Sequence, residues 1–333
     1  MDRVTAPVRF GLKLGGQDVT ADEMRAVWQI ADEAGFDHLW CLDLFMSIGP
    51  GGPDRPIFEG WALQAAMAAA TTRVRIGCTF TGNTHRPPWM LAKLAVTVDH
   101  LSGGRLEFGI GAGYEENEHR MYDIGGLDHR VGRLSEALEC LKLLWTRERA
   151  DFDGRYYTLR DAIANPKPVQ KPYPPIWIGA GGDQILRVVA RHADVWNLPG
   201  SSPHEGRDQS AVAEHLTSAG RRLDALCAEI GRDPAEIRRS MQIPWDAKDR
   251  GWLLETSARW LEAGLTEQIV YLEPHRMEPG STVRGAEIAA QLLPELHRLV
   301  PDARPGTGQD ETGGHRETYG GDRQRQRTAP HVR

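Results

Sequence analysis

The run Val8–Leu14 (VRFGLKL), followed by Ala21–Ala34 (ADEMRAVWQIADEA) and His38–Leu42 (HLWCL), sets the pattern for the whole chain. The first run is short and apolar and reads as a strand. The second carries apolar residues at helical spacing. Thr20 before it is an N-cap, and Glu23 three residues on completes a capping box. Gly35 closes the helix as a C′ residue does, and His38–Leu42 is the next strand. The same strand–helix alternation continues. A helix spans Phe58–Ala70, a strand Val74–Phe80, a helix Pro87–Leu101 and a strand Leu106–Ile110. A helix from Glu116 to Trp145 is broken near Gly125. Ala150–Tyr173 reads as an irregular, proline-rich insertion before the fifth strand, Ile176–Ile178. Strands at Asp194–Leu198, Ile237–Ile243 and Gln268–Leu272 then alternate with helices at Leu186–Arg191, Ala211–Ile230, Trp252–Leu261 and Ala286–Val300. Alternating units imply a parallel sheet, and eight of them imply closure into an α/β (β/α)₈ TIM barrel over residues 1–300. An open doubly wound sheet is the alternative. Against it, no G-x-G-x-x-G follows the first strand.

The bulk composition narrows the function. With 333 residues, the chain has room for one large barrel or two ordinary domains. Its net charge of −6 argues against a nucleic-acid partner, which needs a basic face. No apolar run reaches the roughly 20 residues needed to span a bilayer. Met1–Phe10 has no apolar segment of the signal-peptide kind, so the expected location is cytoplasmic. Cys41, Cys78, Cys140 and Cys227 form no C-x-x-C pair, which leaves no zinc or dithiol motif. Cys41 and Cys78 lie in apolar runs and read as buried. From Pro301 the large apolar residues almost vanish, and 301–333 is expected to be a disordered tail.

In such a barrel, ligands sit at the C-terminal ends of the strands. Asp43 follows the second strand, and Thr79–Arg86 continues from the third. Gly111–His119 follows the fourth, and Gly179–Asp183 the fifth. The glycine run Gly179–Gly182 lets backbone N–H groups and a helix N-terminus approach an anion; a tight turn without ligand is the plain alternative. Asp43 alone could be a cap or a loop ion pair. Glu115, Glu116 and Glu118 could simply complement a helix dipole. His85 and Arg86, at a helix opening, read as solvent-facing. His119 lacks partners at metal-ligand spacing, and no metal site is expected.

Several phrases together resemble the luciferase-like monooxygenase superfamily, in its F420-dependent oxidoreductase branch. They are Ile57–Trp61, Arg73–Gly77, Thr81–Arg86, Leu101–Leu106, Gly109–Tyr114 with Glu118-His119, Asn165–Gln170, Pro174–Gly179 and Ala193–Asn197. The resemblance implies a TIM barrel with a flavin-type ring in its mouth and coenzyme F420, a deazaflavin, as cofactor, with FMN as the alternative. It implies a non-proline cis peptide in Cys78–Thr81, around Thr79-Phe80, behind the ring. The implied cofactor contacts are Asp43, Thr79, Phe80, Thr81, Asn83, Gly113, Tyr114, Asn117, Gly179, Ala180, Gly181 and Gly182. Asp43, projecting into the mouth, is the first candidate for catalysis, with Tyr114 and Glu118 next. Two positions depart from the family pattern. Leu44 stands where many relatives have His after the strand-two carboxylate, and Tyr114 stands where some sugar-phosphate dehydrogenases have Glu. The implied activity is hydride transfer between deazaflavin and a small organic substrate. An FMN-dependent monooxygenase using oxygen and a non-catalytic deazaflavin-binding protein are the other readings. Relatives are often homodimers, so the resemblance carries that expectation too.

Overall fold

The computed structural model describes residues 7–198 and 209–299. Eight parallel strand positions close on themselves: β1 (Arg9–Leu14), β2 (His38–Cys41), β3 (Arg75–Cys78) continued by β4 (Thr81–Gly82), β5 (Leu106–Gly111), β8 (Ile176–Gly179), β9 (Val195–Leu198), β10 (Arg238–Trp245) and β11 (Glu267–Leu272). The pairs β1–β11 and β3–β5 complete the ring, so this is the expected (β/α)₈ barrel and not an open sheet. Outside it lie α1 (Ala21–Ala34), α2 (Gly60–Ala70), α3 (Pro88–Leu101), α4 (Glu116–Met121), α5 (Arg130–Thr146), α6 (Asp183–His192), α7 (Gln209–Glu229), α8 (Arg250–Glu262) and α9 (Thr282–Leu296). In α1, Met24, Val27, Trp28 and Ala31 form the buried stripe. Thr20 and Glu23 make the reciprocal capping box, and Gly35 ends the helix at φ 100°.

One expectation changes. The insertion 150–173 is not irregular throughout, because β6 (Ala150–Asp153) and β7 (Thr158–Ala162) pair antiparallel as a hairpin. Its strands are short and mostly exposed, so apolar content does not mark them. The helix expected from Glu116 to Trp145 is broken as expected, into α4 and α5. They are separated by a turn with positive φ at Asp123, Gly126 and His129, close to the break expected at Gly125. The tail expected at 301–333 lies outside the described residues.

The pleat sends Phe10, Leu12 and Leu14 into the large core cluster between strands and helices. The barrel interior is filled in layers. At the N-terminal end, Glu107 and Glu267 are each 1% exposed. Glu267 accepts from Arg9 Nη1 at 3.2 Å, from Arg238 Nη1, and lies 3.1 Å from His38 Nε2. Glu107 accepts from Trp177 Nε1 at 2.6 Å and from Arg75. Above them Trp40 and Trp177 meet edge to face at 4.5 Å, packed with Val195 and Ile269. Gly77 makes room for this layer, since a Cβ there would fall 2.4 Å from the Trp40 ring.

The charged layer carries a pH signature. Burial acts to raise the Glu267 carboxyl, but His38, Arg238 and Arg9 overcome it and hold it down at about 2. Its folded value is depressed, so its stabilisation is complete above the ordinary carboxylate value of about 4.3 and disappears as pH falls from there towards 2. Urea unfolding midpoints should drop across that window. Glu267→Gln should lower stability at neutral pH and flatten the acid slope. An unchanged slope in that variant would show that Glu267 does not drive the acid transition.

Candidate active site

A cavity of about 1120 Å³ opens at the C-terminal ends of the strands. Its floor lies on the tryptophan layer. Lys13 Nζ donates to Gln242 Oε1 at 2.6 Å and sits 4.1 Å over the Tyr271 ring. Thr79 Oγ1 reaches the same oxygen at 3.4 Å. Gln242 Nε2 donates to Asn197 Oδ1 at 3.3 Å, and Asn197 Nδ2 to Ser240 Oγ at 2.9 Å. These are inward positions of β1, β10 and β9 and the residue after β3. They form one polar sheet of side chains across the barrel.

The wall towards α2 holds Asp43. Its side chain is buried, and it accepts from Arg86 Nη1 at 2.7 Å, from Arg86 Nη2 at 3.1 Å and from the Thr81 hydroxyl. Arg86 also reaches Glu59, the N-cap of α2. Asp43 thus borders the mouth as one half of a two-pronged ion pair. The carboxylate of Glu118 is also buried. It accepts the Phe45 amide and lies 2.9 Å from His85 Nε2, which ties the loop after β2 to α4. Burial acts to raise its carboxyl, but His85 and the amides of Phe45 and Met46 outweigh burial and leave it below the usual range. His85 and Arg86, expected to face solvent, are buried here, with side chains 3% and 9% exposed. The Pro87-Pro88 opening of α3 turns them inward onto the two carboxylates.

The remaining expected site residues divide. The Thr79–Phe80 peptide is cis. Thr79, Phe80, Thr81, Gly113, Gly179, Ala180, Gly181 and Gly182 all line the mouth. Tyr114 lines its rim and is 60% exposed. Asn117 is exposed, outside the cavity, and accepts from Arg120. Asn83 is buried away from the mouth. Its amide donates to Tyr157 Oη at 3.3 Å, beside a separate small hollow. Asn83 and Asn117 are therefore not brought together with the others. At Gly179 a Cβ would fall 2.8 Å from the Phe80 ring, so this glycine serves close packing. Gly182 is the N-cap of α6, with no side-chain cap and with open space where a Cβ would be. His119 is buried between Glu115 O and Thr84 Oγ1, and among the described residues no group could hold a metal ion. All four cysteines are buried and free.

The floor residues Lys13, Asn197, Gln242 and Tyr271 were not singled out from sequence. Lys13 carried one signal, a lone charge within an apolar strand, and the period-2 alternation puts it on the face opposite Leu12 and Leu14.

A closed barrel with a deep mouth and a polar floor at its C-terminal end defines an enzyme-type ligand site. The chain belongs to the luciferase-like monooxygenase family, whose pattern matches residues 3–304. It is 29% identical over 272 residues to an F420-dependent glucose-6-phosphate dehydrogenase of Microbacterium testaceum, covering 80% of this chain and 76% of that protein. It is 31% identical over 241 residues to an uncharacterized protein of Mycobacterium tuberculosis, covering 70% and 76%. The fold superposes with a TM-score of 0.73 on an F420-dependent secondary alcohol dehydrogenase in complex with an F420-acetone adduct, at 17% identity, covering 87% of this chain and 99% of the other.

Asp43→Asn keeps the shape and leaves the buried Arg86 with only Glu59 as its charged partner. Removing one partner of a buried pair costs about 3–5 kcal/mol. Denaturant unfolding should show a loss of that order, and the loop 44–50 should exchange amide hydrogens faster. Wild-type stability in the variant would remove the ion pair as the brace of this wall.

Proposed function

We propose that this protein is an F420-dependent oxidoreductase that moves a hydride between the deazaflavin and a small organic substrate. The observation that carries the reading is the mouth itself. A polar floor, the cis Thr79–Phe80 peptide and a glycine segment at a helix start all face one cavity large enough for a ring-shaped cofactor. The residues fit such a group. The first-turn amides of α6 have no side-chain cap, and Gly182 leaves open the space next to them, which suits an anionic phosphate. Thr79, Phe80 and Thr81 would back the ring, and Gly113, at φ 87°, would border it. When bound, the deazaflavin supplies two-electron hydride chemistry, and the chain supplies orientation and a charged surround. The relatives named as F420-dependent support the choice of deazaflavin over FMN.

Asp43 and Arg86 hold the wall in place, and Glu118 with His85 holds the loop that forms one lip. Both carboxylates are committed to cations or amides. In this reading they position the site and do not move protons. Leu44 and Tyr114 replace the groups that a sugar-phosphate dehydrogenase would use, so the substrate of that relative is not carried over. The same reading makes the protein a cytoplasmic homodimer, and sedimentation velocity checks its second part.

Fluorescence titration should give micromolar or tighter binding of F420 and weaker binding of FMN. Reduced F420 should be oxidised by at least one member of a panel of aldehydes, ketones, enones and imines without oxygen. Equal or preferred FMN binding would overturn the cofactor assignment. A Cβ at Gly182 meets no atom within 4 Å beyond its chain neighbours, and its φ is negative, so Gly182→Val should fold normally. It should weaken F420 at least about tenfold, equivalent to roughly 1.4 kcal/mol. Unchanged affinity in the folded variant would remove the α6 start from the site.

A further inference from the structure

Lys13 is a buried charge on the floor of this mouth, and nothing above uses it. It stands fifth in β1, 3% exposed, on the face turned into the barrel. Lysine is almost never fully buried without a charged partner, because losing water around an ammonium is costly. Lys13 has Gln242 Oε1 and the Tyr271 ring as its partners, and no carboxylate of the described residues forms an ion pair with it. The acidic groups nearby are committed elsewhere. Asp43 is paired with Arg86, Glu118 with His85, and Glu273 with Arg276 at 2.6 Å. A buried ammonium on the floor of a ligand cavity with no carboxylate partner leaves its charge for a ligand to meet.

We propose that Lys13 is the catalytic acid–base of this site, giving a proton to the substrate atom left with an electron pair when hydride adds to its neighbour. This rests on the oxidoreductase reading above. The substrate class is one with a polarised double bond, C=O, C=N or conjugated C=C. In the reductive direction the π bond breaks. One of its atoms forms a bond to hydride from the reduced deazaflavin, which loses two electrons, and the other forms a bond to the proton from Nζ. Lys13 is left as a neutral amine, and the proton released to solvent from the oxidised cofactor restores it. The oxidative direction reverses each transfer.

The setting suits that role. Burial pushes the Lys13 ammonium down to about 8, outweighing Cys78, Glu273 and Cys41, which act to keep it charged. Cys41, Cys78 and Glu273 are the titratable groups whose charge acts on it, and Tyr271 lies beneath it. Burial pushes the Tyr271 phenol up, so of these two neighbours on the floor it is the amine that changes state nearer neutrality.

The chain has six lysines, so ¹³C-dimethylation of the whole protein gives few NMR signals. The signal lost in Lys13→Arg should titrate near pH 8, against about 10.4 for an ordinary lysine, and should move when F420 is added. Where that variant does not fold, pH-dependent labelling of the wild type, read at the Lys13 peptide by mass spectrometry, gives the same midpoint. With a panel compound that turns over, Lys13→Met should lower kcat by roughly 10²-fold with F420 affinity kept, and Lys13→Arg should not restore it. Wild-type kcat for reduction should fall as pH rises through the Lys13 midpoint. An ordinary lysine midpoint, a signal unmoved by F420, or full rescue by Arg would each overturn the proposal while the cofactor reading stands. Failure of the wild type to bind F420 would overturn both.

Discussion

Trp40 and Trp177 meet edge to face on the barrel axis, and the two ends of the molecule depend on that contact. Below it the indole N–H of Trp177 goes to Glu107, while that of Trp40 goes to His38 Nδ1 at 2.6 Å. His38 in turn meets Glu267. The apolar plug is thereby fastened to a charged layer whose carboxylates are met by Arg9, Arg75 and Arg238. Above the plug the barrel cannot fill further, because the inward positions at the next level are glycine or polar. The mouth is deep because the plug is low. Gly77 and Gly109 allow this, since a Cβ at Gly109 would fall 1.9 Å from the Cys78 carbonyl oxygen.

The mouth is shaped by charges that were first read as chemistry. Asp43 and Glu118 lie where a mechanism would place acids, yet Asp43 is held by Arg86 and Thr81 and Glu118 by the Phe45 amide and the His85 ion pair. A buried carboxylate that accepts a two-pronged guanidinium, or an amide and an imidazole, is a strut. Arg86 links Asp43 to the α2 N-cap, and His85 links Glu118 to the strand-three loop. Phe45 lies against the His85 ring at 4.8 Å between them. Together these contacts hold the loop after β2 over the cavity. On the floor, the charge without a carboxylate partner is the ammonium of Lys13.

Much of this was legible in the chain itself. The capping box at Thr20 and Glu23, the Gly35 stop and the eightfold alternation need only local propensity and period, and they determined the barrel and the end of it that carries the site. The glycine segment 179–182, and Thr79–Thr81 through family resemblance, were placed on the mouth in the same way. The hairpin at 150–162 is not marked in the sequence because its strands are short and mostly exposed, with too little apolar content to stand out.

Tertiary structure alone decided which polar side chains meet. His85 and Arg86 follow each other in sequence, and nothing local says that one turns to Glu118 and the other to Asp43. Asn83 looks like its neighbours in the strand-three segment, but its side chain leaves the mouth for Tyr157. Lys13 and Gln242 are 229 positions apart and come within 2.6 Å because β1 and β10 both flank β11. Sequence determined the barrel because helix and strand periods are set by neighbours a few residues away. The floor of the site is set by closure of the ring, which brings together residues that no short window of sequence contains.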